Sequence, residues 1–346
     1  MTMKAARIYG PGDIRLETVD TPSIQKDEIL VEVKACGICG TDIHTYKTGG
    51  ASVPRKPIIP GHEWSGEIVE VGSAVTGLKV GDRVVGIGYR SCGECYWCRQ
   101  GQTQRCPNPL VPGEGLDGAF AEYVVLPNPV PGRLLFPIPE MLGWQEAATI
   151  EPVAVASFAV RRARLEPKDV VVILGAGMIG QSIAQVCKAM GNSKVIVSEP
   201  SAKRLAMAKK LGADVALDPS KTDVAAAITE VTSGEMASVL FECSGSPAAF
   251  RQAPHLMRHF GRIIQVGIFE KNLELSPELA TLMFNYRNIT LQGSGGQRWD
   301  MAVELMGTGK VKTRDLITQQ FPLSRVKEAF ETQLNSVEAI KVMVEP

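Results

Sequence analysis

Four cysteines crowd one short window: Cys92, Cys95, Cys98 and Cys106. Four thiolates at this spacing can close a tetrahedron around one zinc ion. Such a centre has no open position, so it stabilises a loop and does no chemistry. It carries a charge of about minus two, and Arg90, Arg99 and Arg105 are the nearby cations expected to offset it. An iron–sulfur cluster shares the first spacings, but the distant fourth cysteine and the lack of a second cluster set weigh against it. A second set of metal-binding residue types is spread more widely. Cys36-Gly37-Ile38-Cys39-Gly40-Thr41-Asp42-Ile43-His44 is followed by Gly61-His62-Glu63-Trp64-Ser65-Gly66, and the chain has 4 histidines, two of them here. Cys39, His62 and a carboxylate would form a sulfur–nitrogen–oxygen set that holds Zn²⁺ as a Lewis acid with one position open to water or alcohol. The blander reading makes His62 a core histidine and Cys36 and Cys39 small buried hydrophobes. A redox pair of Cys36 and Cys39 lacks a thioredoxin-like context. Chemistry alone assigns Cys36 no role, and Cys187 and Cys243 read as buried fillers.

A third constellation binds nucleotides. Val170-Val171-Val172-Ile173-Leu174 is an unalternating apolar run, as in a parallel strand buried on both faces. It ends in Gly175-Ala176-Gly177-Met178-Ile179-Gly180, a GxGxxG turn opening a helical stretch. The first glycine permits the tight turn, the second admits a pyrophosphate to the backbone, and the third lets helix and strand pack closely. The phosphates would rest on the free amides of the helix start. Glu199, at the end of the following strand, can accept hydrogen bonds from both ribose hydroxyls and would repel a 2′-phosphate, which favours NAD over NADP. Lys203 and Arg204 beside it are either adenosine contacts or solvated residues on the helix start.

The elements that must position these residues follow two textures. Up to about residue 150, short Val/Ile-rich strands alternate with Gly and Pro turns: Ile29 to Val33, Trp64 to Val71, Asp82 to Ile87 and Ala121 to Val125. Beyond it, strands alternate with helices through Arg262 to Val266, a βαβ series. The series ends near residue 287, after which Trp299 to Met306 and Val326 to Glu331 read as short helices and Lys341 to Val344 as a strand. A chain of 346 residues is long enough for about two domains and needs no disulfide staples. Lys plus Arg is 37 and Asp plus Glu is 37, so no charge bias points to nucleic acid or an acidic membrane. No signal peptide is recognised before the alternating Ala5 to Tyr9, and no apolar run has transmembrane length, so cytoplasmic residence is expected. That compartment agrees with clustered cysteines holding metal rather than disulfides.

On these residues the chain resembles the zinc-dependent medium-chain alcohol dehydrogenases along essentially its whole length. Gly61-His62-Glu63-x2-Gly66-x5-Gly72-x2-Val75 is similar to the family's zinc signature, and the 92–106 window to its structural-zinc lobe. The resemblance implies an α/β protein with a GroES-like, mostly β catalytic domain (1–153, completed by a return segment, 287–346) and a Rossmann domain with a doubly wound parallel sheet (154–286). It implies NAD and two zinc ions per subunit, one catalytic and one structural. Cys39 and His62 match catalytic-zinc ligands, and Glu63 matches a carboxylate that reaches the metal directly or through water. Glu151, in Thr149-Ile150-Glu151-Pro152, stands where many members carry a cysteine and looks like the polyol and threonine branch. Thr41 matches the hydroxyl that takes the substrate proton, His44 the outer end of the relay, and Asp42 the carboxylate that orients His62.

The implied reaction is reversible hydride transfer between a secondary alcohol or polyol and NAD, in a cleft between the two domains. An amino-alcohol enzyme such as threonine dehydrogenase is the nearest alternative. The tract Ala154-Val155-Ala156-Ser157-Phe158 departs from the threonine pattern and disfavours it. An alternative of another class is a zinc-stabilised nucleotide-binding structural or regulatory protein. Arg298 could anchor a hydroxyl-rich substrate, and Tyr46, Trp64 and Tyr89 could line the cleft. No nucleic-acid or membrane partner is expected, and the family's habit implies a homodimer or homotetramer. The stretch from Arg287 to Gln292 could extend a sheet across subunits.

Overall fold

The computed structural model describes residues 1–50, 57–102, 105–191 and 194–346. The chain divides into two compact units: Met1–Glu151 with Ile317–Pro346, and Pro152–Leu316.

The first unit is built on β-structure. β1 (Thr2–Gly10) and β2 (Asp13–Asp20) form an antiparallel pair. β3 (Glu28–Gly37) leads into α1 (Gly40–Thr48), and β4 (Glu63–Val71) and β5 (Arg83–Gly86) follow. A single turn, α2 (Tyr96–Arg99), lies in the cysteine window. β6 (Tyr123–Pro127), β7 (Leu135–Pro137) and α3 (Trp144–Ala148) precede α4 (Ile150–Ala163), whose first residues close this part of the unit. Much later, β14 (Ile317–Pro322), α11 (Val326–Asn335) and β15 (Lys341–Glu345) return to it. Among the described residues its main sheet runs β14-β15-β3-β4-β5-β7, with β6 on β3. β3 is the hub, because it pairs with β15, β4 and β6, and its alternating Ile29, Val31 and Val33 put one apolar face into the core. The core includes Ile8, Trp64, Phe120 and Phe330, with Phe330 edge-on to both Tyr46 and Phe120. Tyr46 and Trp64 are therefore core aromatics rather than cleft linings.

The second unit continues α4 and alternates strand and helix: β8 (Val170–Leu174), α5 (Met178–Ala189), β9 (Lys194–Ser198), α6 (Ala202–Lys210), β10 (Val215–Leu217), α7 (Val224–Val231), β11 (Ala237–Glu242), α8 (Pro247–Leu256) and β12 (Met257–Gln265). α9 (Pro277–Thr281), β13 (Thr290–Gly293) and α10 (Trp299–Gly307) complete it. The sheet is parallel in the order β10-β9-β8-β11-β12-β13. That order reverses direction at β8, the arrangement of doubly wound dinucleotide-binding sheets. The return to the first unit comes at Ile317 rather than near residue 287. β13 pairs with β12, and α10 belongs to the same unit. The strand expected over Arg287 to Gln292 thus joins this parallel sheet, at an edge where three of its four residues are exposed.

Candidate active site

In the first unit, the turn from β3 into α1 carries Cys39, Thr41, Asp42 and His44, and the start of β4 carries Glu63 with His62 just before it. Helix α1 starts here because Asp42 reaches back: its Oδ2 accepts the Cys39 amide at 2.9 Å, the return half of a capping box. Its Oδ1 accepts the Gly61 amide at 3.1 Å. One buried carboxylate thus ties the Cys39 turn to the His62 turn. Gly61 has φ +101°, and a Cβ there would lie 2.8 Å from the Cys36 sulfur and 2.9 Å from the Phe120 backbone nitrogen, so only glycine fits. Cys36 acquires a role in this packing.

The ligand atoms of Cys39, His62 and Glu63 lie within 4.8 Å of one another. The Thr41 hydroxyl donates to the Cys39 sulfur at 3.0 Å and stands 3.5 Å from His62 Nε2. His62 Nδ1 is buried with no hydrogen-bond partner; Asp42 and Glu114 carboxylate oxygens lie 3.9 Å away. Asp42 therefore acts on His62 mainly as a charge, while its hydrogen bonds go to backbone. Burial opposes a charge on His62, but the Cys39 and Asp42 anions outweigh it, and its pKa stands well above the ordinary imidazole value. Burial pushes the Asp42 carboxyl up, with His62 and the Cys39 amide pulling the other way. A half-buried thiol and imidazole beside a buried carboxylate, which favour a positive charge among them, are a fitting donor set for a divalent cation. Glu151 lies outside the 4.8 Å set but is near enough to act electrostatically on His62. His44 sits three residues beyond half-buried Thr41, one helical turn further along α1, and is exposed.

The four cysteines Cys92, Cys95, Cys98 and Cys106 also converge within 4.8 Å, all as free thiols. The Cys92 amide points at the Cys106 sulfur and the Cys98 amide at the Cys95 sulfur, each at 3.4 Å. The Glu94 and Cys95 amides lower the Cys92 thiol to about 7, while burial and neighbouring thiols raise Cys98 to about 11. The arginines expected to balance this centre are otherwise engaged. Arg90 pairs with buried Glu28 at 2.7 Å, Arg99 donates to the Glu94 carbonyl, and Arg105 lies over the Trp97 ring.

In the second unit, Gly175 follows β8 with φ +97°, against Ser244. A Cβ on Gly180 would lie 2.0 Å from the Gly175 carbonyl, whereas Gly177 faces open space. Those are the different demands of a close-packed turn and a ligand approach. Met178 and Ile179 open α5, whose N-cap Gly177 supplies no side-chain cap to its free amides. Buried Glu199 accepts the Ala176 amide through Oε2 at 2.8 Å and the Ser201 amide through Oε1 at 3.0 Å. Gln181, unnoticed in the sequence, donates to the Ala176 and Arg204 carbonyls and braces the same loop. Arg298 makes a two-pronged pair with Asp300 at 2.8 and 2.6 Å. Cys187 is buried in α5 and Cys243 follows β11; burial raises both thiols, as expected of fillers.

A parallel sheet carrying a glycine turn and a β-rich unit with thiol-based metal clusters define a class, a metal-assisted nicotinamide oxidoreductase. The family described as alcohol dehydrogenase GroES-like domain matches residues 25–140, and that described as zinc-binding dehydrogenase matches residues 179–308. The chain is 36% identical to D-arabitol-phosphate dehydrogenase of Enterococcus avium, over 99% of this chain and 97% of that one. It is 35% identical to sorbitol dehydrogenase of Bacillus subtilis, again over 99% and 97%. A zinc-binding dehydrogenase of Sinorhizobium meliloti solved with NADP is 31% identical, covers all of both chains and superposes with a TM-score of 0.89. The chain belongs to the zinc-dependent alcohol dehydrogenase family and is an oxidoreductase of that family. Zinc and a nicotinamide dinucleotide are its cofactors. Among the described residues, no helix is long and apolar enough to cross a membrane.

Proposed function

We propose that the protein oxidises a secondary alcohol group of a polyol to the ketone, reversibly, with NAD as hydride acceptor. The convergence of Cys39, His62 and Glu63 beside the Thr41 hydroxyl carries this reading. Bound zinc would act as a Lewis acid on the alcohol oxygen, and the nicotinamide would take the hydride. Cys39 and His62 hold the metal, with Glu63 and Glu151 as its carboxylate neighbours. The Thr41 hydroxyl, already oriented by the Cys39 sulfur, receives the substrate proton. His44, exposed on α1, passes it to solvent. The lobe from Cys92 to Cys106 holds a second zinc with no catalytic part, giving two per subunit.

NAD is favoured because buried Glu199, fixed by two amides, sets a negative charge at the end of β9, where a 2′-phosphate would be repelled. Polyols are favoured over L-threonine by the tract Ala154-Val155-Ala156-Ser157-Phe158, which departs from the threonine pattern, and by the first two relatives described above. The protein is expected to work in the cytoplasm as a homodimer or homotetramer, without nucleic-acid or membrane partners. Self-association is supported by the open edge of β13, near which Phe260 and Tyr286 are 76% and 70% exposed. The deciding experiment is a panel of sugar alcohols, secondary alcohols and L-threonine, each with NAD and NADP. Turnover should be greatest with a polyol and NAD. Activity only on L-threonine, or only with NADP, would overturn the corresponding half of the reading.

A further inference from the structure

The C-terminal strand brings a lysine into the first metal cluster. Lys341 is 4% exposed and Glu63 2% exposed. The Lys341 ammonium donates to Glu63 Oε2 at 2.5 Å and to the Ile38 carbonyl at 2.9 Å. Three strands build this pair. In register, Gly37 of β3 stands between Met343 of β15 and Glu63 of β4. A Cβ on Gly37 would fall 2.5 Å from Glu63 Oε2 and 3.2 Å from Lys341 Cδ, so the glycine makes the space in which lysine and glutamate meet. Both ions have been taken out of water, which is costly unless each has its partner. The anions that act on Lys341 are Glu63, Cys39 and Glu151, the charged groups of the metal site. Three anions there are balanced by a divalent ion together with one ammonium.

We propose that Lys341 is a positioning residue that keeps Glu63 from becoming a tight metal ligand, and so keeps one position on the metal open for substrate. This rests on the reading of Cys39 and His62 as metal ligands. With the ammonium on Oε2, Glu63 is neutralised without the metal. Without the ammonium, the buried carboxylate would turn to the metal for its counter-charge.

The test uses holoenzyme, with zinc or exchanged with cobalt, and reads metal release to a chelator and the visible cobalt spectrum. The all-sulfur lobe contributes a constant background to that spectrum. In Lys341→Met, release from the catalytic site should slow about tenfold, the size of effect outer partners have on metal affinity. Its cobalt bands should weaken as Glu63 adds a ligand. In the double variant Lys341→Met/Glu63→Gln both readouts should return towards wild type, which a merely structural lysine would not produce. If Lys341→Met does not fold, Glu63→Gln alone decides: it leaves the ammonium uncompensated beside the metal, and release should quicken about tenfold. Unchanged release and spectrum in Lys341→Met, or unchanged release in Glu63→Gln, would overturn the proposal. Cys39→Ala separates the two levels: if it keeps its full metal content, the metal-site reading fails; if it loses one metal per subunit, only the role of Lys341 is at stake.

Discussion

The first unit holds two metal-binding clusters that reach similar compactness by opposite routes. The lobe takes its four sulfurs from residues 92 to 106, with one helical turn and a few amides to aim them. It uses a single donor type and leaves nothing over for a substrate. The other cluster draws on a helix start, the beginning of β4 and, through Lys341, the last strand of the chain. Its donors are mixed, its imidazole carries an unpartnered nitrogen, and a hydroxyl sits on its sulfur. Local, uniform ligands make a staple. Ligands that depend on the whole sheet make a site whose charge and openness the fold can adjust.

The contrast is most sharply tested by removing one sulfur from each cluster. Cys39→Ala should lower kcat/KM by about a thousandfold, roughly 4 kcal/mol of transition-state stabilisation, with far-UV circular dichroism and thermal midpoint nearly unchanged. Full turnover in that variant would remove Cys39 from the site. Next in size is Thr41→Val, expected to reduce kcat about a hundredfold, the range for a positioned proton-transfer group, while Thr41→Ser stays close to wild type. A serine variant as poor as valine would mean that the methyl packing, not the hydroxyl, matters. Cys95→Ser should act in the other currency. One zinc per subunit is lost and the midpoint falls by on the order of 5 °C, about 2 kcal/mol, while kcat per folded enzyme holds within about threefold. A large fall in kcat with an unchanged midpoint would give the lobe a catalytic part.

How far each cluster could be read from sequence follows from the same difference. The lobe was legible residue by residue because its ligands are neighbours in the chain. For the second cluster, spacing alone offered Cys39, His62 and an unspecified carboxylate. Family resemblance was needed to point to Glu63 and Glu151, and of these only Glu63 stands within the compact set. Lys341 was passed over as the first residue of an apolar strand, although a lysine opening the buried run Val342-Met343-Val344 is itself a signal of a buried partner. In the second unit, β8 and the glycine turn were readable because a strand buried on both faces leaves an unbroken apolar run. The short β10 and the alanine-rich α7 were not, since neither buries enough apolar surface to show one, and β13 was legible only as an exposed strand, without its place beside β12. That gap moved the expected return point from 317 to 287.

The smallest expected effect bears on how the lobe's charge is carried. Proximity in sequence made Arg90 a cation for the thiolates, but in the fold it is bonded to Glu28, whose side chain is 6% exposed while that of Arg90 is 53% exposed. Half-exposed pairs are screened and worth little, about 1 kcal/mol, though loss of Arg90 also strands a buried carboxylate. Arg90→Ala should therefore lower the thermal midpoint by about 2–4 °C and leave zinc release from the lobe within about twofold of wild type. Glu28→Gln in the same background should restore part of the midpoint, because the stranded charge is gone. If Arg90→Ala instead speeds zinc loss tenfold with little change in midpoint, the arginine neutralises the thiolates after all. The lobe would then depend on its surroundings as the catalytic cluster does, and the two sites would differ in ligand type alone.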